Sequence, residues 1–339
     1  MRQRTLILIS IILLAAPWSF GQKSRTDSFK VVFYNVENLY DTINDPHTDD
    51  NEFLPTSKVA WTGERMYHKI HNIGKVLVAI DSTNLPAIIG MAEVENKTIL
   101  EDLVEQTRLR NGNYQVVLEE GNDPRGIDVA LIFRKDVFSY LAHKAVPSAK
   151  SFRSRFILYI KLLDAKKDTF HLFVNHWKSR EGGPEETAIK RAENASVLKH
   201  LTDSIFSVNI RANIIVMGDF NDEPSDQSIA GILGAVPPGK QPAAGTLYNL
   251  LYETFQKGGG TLYYKDWDLF DQIMASGSLL MKKRGKGPVI LPPYGYVFKQ
   301  EWMLFRNKKG EMIPNRTASS KEYFGGYSDH LPVYTVIKY

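Results

Sequence analysis

Five apolar runs in this 339-residue sequence border on acids, amides or histidine. VVFYNVEN delivers Asn35 and Glu37, and AIIGMAEVEN delivers Glu93 and Glu95. LFVNHWKSR delivers Asn175, His176, Lys178 and Arg180, and IIVMGDFND delivers Asp219 and Asn221. The last run follows YSDHLPV, which supplies Asp329 and His330. Singly, each has a bland reading: Asp219 and Asn221 fit an Asx-turn before Pro224, and Asp329 and His330 fit a turn before Pro332. Five at once point to a site, because binding groups collect on the loops at strand ends. Carboxylates and amide oxygens with few histidines and no cysteine suit a hard cation, Mg²⁺ or Mn²⁺ with Ca²⁺ as a further option, rather than structural zinc. Mg²⁺ takes one or two carboxylates and keeps several waters, which leaves room for a phosphate oxygen.

Six pieces occur in order between Phe29 and Tyr339: FYNVEN, AEVEN, NHWKS, GDFND, FDQIMASGSLL and SDHLPV. The set resembles the endonuclease/exonuclease/phosphatase family, which spans pancreatic-type deoxyribonucleases, abasic-site endonucleases, inositol polyphosphate phosphatases and neutral sphingomyelinases. The resemblance implies an α/β fold, a four-layered sandwich of two packed mixed β-sheets flanked by helices. It places Asn35, Glu93 and Asp329 on the family's metal positions, with Glu95 as second choice to Glu93. It places Asp219 and Asn221 on the pair that holds the attacking water and the phosphate. His330 falls on the catalytic histidine, Asp271 on the Asp that orients it, and His176 on the second histidine of the deoxyribonuclease branch. Ala92 is a departure, because the family usually carries Gln before its metal-binding Glu.

The chemistry is coherent on physical grounds. Phosphodiester hydrolysis needs a nucleophilic water, neutralised phosphoryl oxygens and a proton for the leaving oxygen. A cation held by Glu93 and Asp329 would polarise the phosphate. His330 titrates near neutrality, and an Asp partner would fix its tautomer. Asp219 is an equally good base, and the sequence leaves the two alternatives open. Lys178 and Arg180 follow His176 closely enough to contact a phosphate, and Arg125 in GNDPRGIDVALIF is a further candidate. Trp177 reads as a packing residue, and Asp222 and Asp226 as turn and loop residues.

The elements that must position these groups are legible from periodicity. Helical spacing runs over Gly63–Asp81, Lys97–Arg110 and Glu185–Phe206, the last with Ala188, Ala192, Ala195 and Leu198 on one face. Strand patterns cover the apolar runs above, together with YQVVLEE, GIDVALIFRKD, FILYIKLL and LPVYTVIKY. Residues 226–259 read as a Gly- and Pro-containing loop, and residues 45–58 as another. Alternating helices and strands early, then clustered strands, suggest layered sheets with helices outside.

The first 21 residues carry Arg2 and Arg4, then an apolar run from Leu6 to Ala16, then small residues ending at Gly21. That is the layout of a cleaved signal peptide, so an exported protein, periplasmic or secreted, is expected. Residues 22–339 are expected to form one domain, monomeric and without a membrane span. Net charge is +4, a mild excess compatible with an anionic substrate. The leading expectation is a metal-dependent phosphodiesterase acting on nucleic acid, favoured by paired His176 and His330. The runner-up is a phosphatase or a lipid or inositol phosphodiesterase on the same chemistry. A non-catalytic binding protein is the third.

Overall fold

The computed structural model describes residues 28–281 and 287–339. The expected signal peptide, residues 1–21, lies outside the described residues. Among these residues no helix is long and apolar enough to cross a membrane.

The first half contains β1 (Ser28–Leu39), α1 (Gly63–Ile80), β2 (Ile88–Val94), α2 (Lys97–Glu105), β3 (Tyr114–Leu118) and β4 (Asp128–Arg134). Thr62 caps α1 by accepting from the Arg65 amide, and the stripe Met66, Ile70, Ile73 and Leu77 is buried as its spacing predicts. The second half opens with β5 (Phe138–Pro147), β6 (Phe156–Asp164), β7 (Thr169–His176), α3 (Pro184–Val208) and β8 (Asn213–Asp219). There follow β9 (Leu247–Asn249), α4 (Tyr252–Gln256), β10 (Leu262–Tyr263), β11 (Trp267–Asp268) and β12 (Asp271–Ser276). β13 (Tyr296–Val297), β14 (Leu304–Arg306), β15 (Met312–Pro314) and β16 (Val333–Lys338) complete the chain.

Two six-stranded sheets result, in the orders β13-β16-β1-β2-β4-β3 and β5-β6-β7-β8-β12-β9. Each has one parallel pair at its centre, β1 with β2 and β7 with β8, and antiparallel neighbours outside. The inner faces pack Phe33, Leu131 and Phe133 against Ile160, Leu172 and Met217. α1 and α2 cover the outer face of the first sheet, and α3 that of the second. Each fully buried Leu, Ile or Phe contributes ~1.5–3 kcal/mol, so this sandwich holds the site rigidly. The expected four-layered arrangement of two mixed sheets flanked by helices is what the chain forms.

Three local readings are corrected. β5 went unread because most of its residues face solvent, so FSYLAHKAVP carries no apolar periodicity. Residues 226–259 are not simply loop: a π-helical turn spans Gln227–Leu233, and β9 and α4 follow. The buried face of α3 is only partly the expected stripe, of which Ala195 and Leu198 are buried and Ala192 half-buried. Ala188 is exposed, while Thr187, Arg191, Asn194, Ala195 and Leu198 are buried, because Arg191 Nε reaches the Asp222 carboxylate at 2.6 Å.

Candidate active site

Strand register builds the site. His176 of β7 pairs with Asp219 of β8, and Asp219 pairs with Asp271 of β12. Residues in one row across a sheet share a face, so these three side chains leave the sheet together. The strand β8 carries Gly218 because the parallel neighbour is so close: a Cβ there would lie 2.5 Å from the Asn175 carbonyl oxygen. Phe220, fully buried, then pins the end of the strand against Trp177, with ring centroids 4.8 Å apart. Trp177 is itself fully buried, so it packs.

The first sheet supplies the facing groups through irregular strand ends. The β1–β2 ladder shifts register between Asn35 and Leu39, and the β2–β4 ladder between Ala92 and Val94. Glu93 is the extra residue of that bulge and has φ 64°; Glu37 and Asn38 have φ 53° and 59°. Bulges re-aim side chains, and left-handed backbone in non-glycine residues is strained and concentrates at functional sites. The bulge separates Glu93 from Glu95. Glu93 turns to the second sheet, whereas Glu95 accepts from the Asp41 amide at 2.6 Å and lines a different, acidic cavity.

The resulting cluster is compact. Asn35 Nδ2 donates to Glu93 Oε1 at 3.2 Å and to Asp219 Oδ2 at 3.0 Å, joining the two sheets. His176 Nε2 lies 3.8 Å from Glu93 Oε1 and 3.6 Å from Asp219 Oδ2. His330 Nε2 lies 3.8 Å from Asp219 Oδ2, and its Nδ1 donates to Asp271 Oδ2 at 2.7 Å. Asp219, Asp271 and His330, all buried, have ligand atoms within 4.8 Å of one another. The Asn221 amide N–H donates to Asp219 Oδ1, and Asn221 Nδ2 donates to the Trp177 carbonyl.

Electrostatics separate the two histidines. Burial alone would make His330 a weaker base, but the charge and hydrogen bond of Asp271, with Asp219 and Asp329, outweigh it and hold the imidazole well above the usual range. His176 goes the other way, pushed well below that range by burial and by Arg155 and Arg125. Burial raises the Asp219 carboxyl, with Asp271 adding to the effect and the His330 charge opposing it.

The remaining candidates divide. Asp329 lies at the rim, 30% exposed, with Oδ2 3.4 Å from Arg316 Nη2. Lys178 and Arg125 line the groove beside the cluster. Arg180 is committed to the protein: Nε donates to the Asn221 carbonyl at 2.8 Å, and Nη2 reaches Asp226 at 2.6 Å and Asp222 at 3.1 Å. Asp222 and Asp226 are therefore anchors of the GDFND turn rather than plain loop residues.

Several supporting residues escaped the sequence reading. Arg155, 5% exposed, donates to the carbonyls of His176 and Trp177 and pairs with Asp123 at 2.5 Å. Nothing in its local sequence marks it. Lys69 is fully buried and donates to the Glu37 carbonyl at 2.8 Å and to Thr317 Oγ1 at 2.5 Å. Glu37 accepts from Arg316 Nε at 2.9 Å and from the Thr317 amide at 2.6 Å. Lys69 had a visible signal, a charge on the apolar stripe between Met66 and Ile73.

The donor set fits a hard divalent cation. Asp219, Asp271 and His330 gather their ligand atoms within 4.8 Å, Glu93 and Asp329 offer further anionic oxygens, and the buried Asp271 Oδ1 has no hydrogen-bond partner. Clustered carboxylates of this kind are costly to bury unless a cation offsets them.

The family model described as Endonuclease/Exonuclease/phosphatase family matches residues 30–339. A D. rerio TDP2 structure, complexed with single strand DNA product, superposes with a TM-score of 0.54 at 14% identity, covering 92% of this chain and 99% of that one. The human Nocturnin catalytic domain with bound sulfate gives 0.54 at 16% identity, over 92% and 94% of the two chains. A mannosyl-6-phosphatase of Bacteroides thetaiotaomicron gives 0.56 at 13% identity, over 92% and 100%. At such identities the likeness is one of fold. No curated protein matches the chain.

Proposed function

We propose that this chain, which belongs to the endonuclease/exonuclease/phosphatase family, is an exported, divalent-metal-dependent phosphodiesterase of nuclease type. The family match and a mannosyl-6-phosphatase among the fold relatives support hydrolysis of phosphoester bonds. The observation that carries the finer reading is the His330–Asp271 pair at 2.7 Å with Asp219 facing its other ring nitrogen.

Roles follow from the charges. His330, held protonated near neutrality by Asp271, is the proton donor to the leaving oxygen. Asp219, whose carboxyl burial raises and the His330 charge lowers, accepts the proton from the attacking water in its ionised form. The water oxygen bonds to phosphorus as the ester P–O bond breaks, and the two protons end on Asp219 and the departing oxygen. His176, neutral at the same pH, donates a hydrogen bond from Nε2 to a phosphoryl oxygen. Asn35 holds Glu93 and Asp219 at fixed separation, and Lys178 and Arg125 attract the anion. Glu93 and Asp329 would hold Mg²⁺ or Mn²⁺, which when bound supplies positive charge to the phosphoryl oxygens. A TDP2 relative seen with single strand DNA supports nucleic acid as the substrate class.

The test is cleavage of plasmid and single-stranded oligonucleotides with Mg²⁺ or Mn²⁺, alongside phosphomonoesters, inositol phosphates and sphingomyelin. His330→Ala and chelator are the controls. Cleavage of monoesters with none of nucleic acid would replace the nuclease reading by a phosphatase one. No metal-dependent and His330-dependent hydrolysis of any substrate would end the catalytic reading.

A further inference from the structure

The run VVFYNVEN ends in a turn that the rest of the fold holds from several sides. Glu37 and Asn38 both adopt left-handed backbone, at φ 53° and 59°. Two such residues in succession, neither of them glycine, persist only where their surroundings over-determine them. The Glu37 amide donates to Asn35 Oδ1 at 3.0 Å. Asn35 Nδ2 and the Asn38 amide each donate to one oxygen of Glu93, at 3.2 and 3.0 Å. The Glu37 carboxylate, buried, is spent on Arg316 Nε and the Thr317 amide. Its carbonyl accepts from Lys69 Nζ at 2.8 Å.

Lys69 is the member that packing does not account for. It stands on the apolar stripe of α1 and is fully buried. Its three ammonium hydrogens go to uncharged oxygens: the Glu37 carbonyl, Thr317 Oγ1 and, at 3.2 Å, the Tyr327 carbonyl. An ammonium so placed carries a desolvation cost that an apolar residue on the same stripe would not. What the charge does is fasten the turn to residues 316–327. Arg316, from the start of that segment, brings Nη2 to 3.4 Å from Asp329 Oδ2. The turn therefore reaches both acids proposed to hold the cation, Glu93 through the Asn38 amide and Asp329 through Glu37 and Arg316.

We propose that Lys69 is a positioning residue for the cation site. By holding the Glu37 carbonyl it locks the turn in its left-handed conformation, which sets the separation of Glu93 and Asp329 before a cation arrives. Arg316 is its counterpart at the rim. Lys69 touches neither the cation nor the substrate. This rests on the metal-dependent reading above and concerns how that site is pre-formed.

The test uses the full chain with Mn²⁺ as probe. Lys69→Met keeps an unbranched apolar side chain and removes the ammonium. Calorimetry should show the Mn²⁺ dissociation constant raised about tenfold or more, the usual effect of losing an outer partner of a metal site. KM for a chromogenic phosphodiester at saturating Mn²⁺ should stay within about twofold of the parent, because no substrate contact is lost. In the metal-free protein, hydrogen exchange at the Asn38 amide should quicken, since the turn no longer holds it against Glu93. Leu77→Ala, which loosens the same helix away from the turn, is the control: it should lower Tm and leave Mn²⁺ binding unaltered. Arg316→Met, at a half-exposed side chain, tests the other end and decides the matter alone if Lys69→Met does not fold. The double variant should bind Mn²⁺ no more weakly than the weaker single, because both act through one turn. Unaltered Mn²⁺ binding in either single variant, equal weakening in Leu77→Ala, or fully additive effects would overturn the proposal. A parent that binds Mn²⁺ but hydrolyses no phosphoester would remove the catalytic reading alone. An active parent whose Lys69→Met and Arg316→Met variants bind Mn²⁺ as it does would remove the positioning role alone.

Discussion

The His330–Asp271 pair sets the protonation state on which the proposed mechanism depends, and Asp271→Asn isolates it. The carboxylate is fully buried and its oxygen lies 2.7 Å from Nδ1. At an effective dielectric constant near 20, unit charges at that distance attract by roughly 6 kcal/mol, a ceiling that burial of both groups reduces. Asparagine keeps the shape and removes the charge. Burial, which opposes protonation of His330, then faces only the more distant Asp219 and Asp329. The folded-state pKa of His330 should fall, so the protonated proton donor is lost at lower pH than in the parent. Turnover at pH 7.5 should drop by about 10²–10⁴, the usual span for losing a general acid. The alkaline limb of kcat against pH, measured with a chromogenic phosphodiester between pH 5 and 10, should move towards acid. NMR titration of the His330 ring protons in the metal-free protein checks the cause directly. An unmoved alkaline limb together with an unmoved His330 titration would refute the assignment, provided thermal melting shows the variant folded.

Three further outcomes follow from the same geometry. Glu93→Gln removes an anionic oxygen while preserving the contact to Asn35; the Mg²⁺ or Mn²⁺ concentration for half-maximal activity should rise at least tenfold, matched by weaker calorimetric metal binding. Arg155→Ala leaves Asp123 and the carbonyls of His176 and Trp177 without their donor, so urea unfolding should show a loss of about 3–5 kcal/mol, and a loss near zero would show the pair to be dispensable. Burial pushes the Asp128 carboxyl up to about 7, so the fold prefers it neutral. Its contribution is harmless below the unfolded value near 4 and becomes destabilising as pH rises towards 7, with a ceiling of roughly 4 kcal/mol. The difference in Tm between Asp128→Asn and the parent should therefore shift in favour of the variant from pH 4 to pH 8.

What the sequence showed and what it hid follow one physical division. The sandwich was legible because its central strands are apolar on both faces and its first two helices carry clean stripes. Strand exits were legible because Asp219, His176 and Asn35 interrupt those apolar runs, and register then placed them in rows. Two things are not written in any local pattern. The Glu93 bulge is a backbone event, decided by how β2 meets β1 and β4, and simple alternation cannot choose between Glu93 and Glu95 without it. Arg155 and Arg316 reach their partners across the fold, 21 and 279 residues away in sequence, so no window around them reports their role. α3 is where the two kinds of information meet. Its alanines suggested an ordinary apolar face, yet Arg191 is buried because Asp222, a residue that sequence alone assigns to a turn, needs a counter-charge. The same Asp222 holds Arg180, so the GDFND turn is fixed by two guanidiniums from behind. That support leaves Asp219 and Asn221 facing the groove within the Asx-turn they form, in which the Asn221 amide donates to Asp219 Oδ1. The turn-forming chemistry that made these residues ambiguous in the sequence is the means by which the fold aims them.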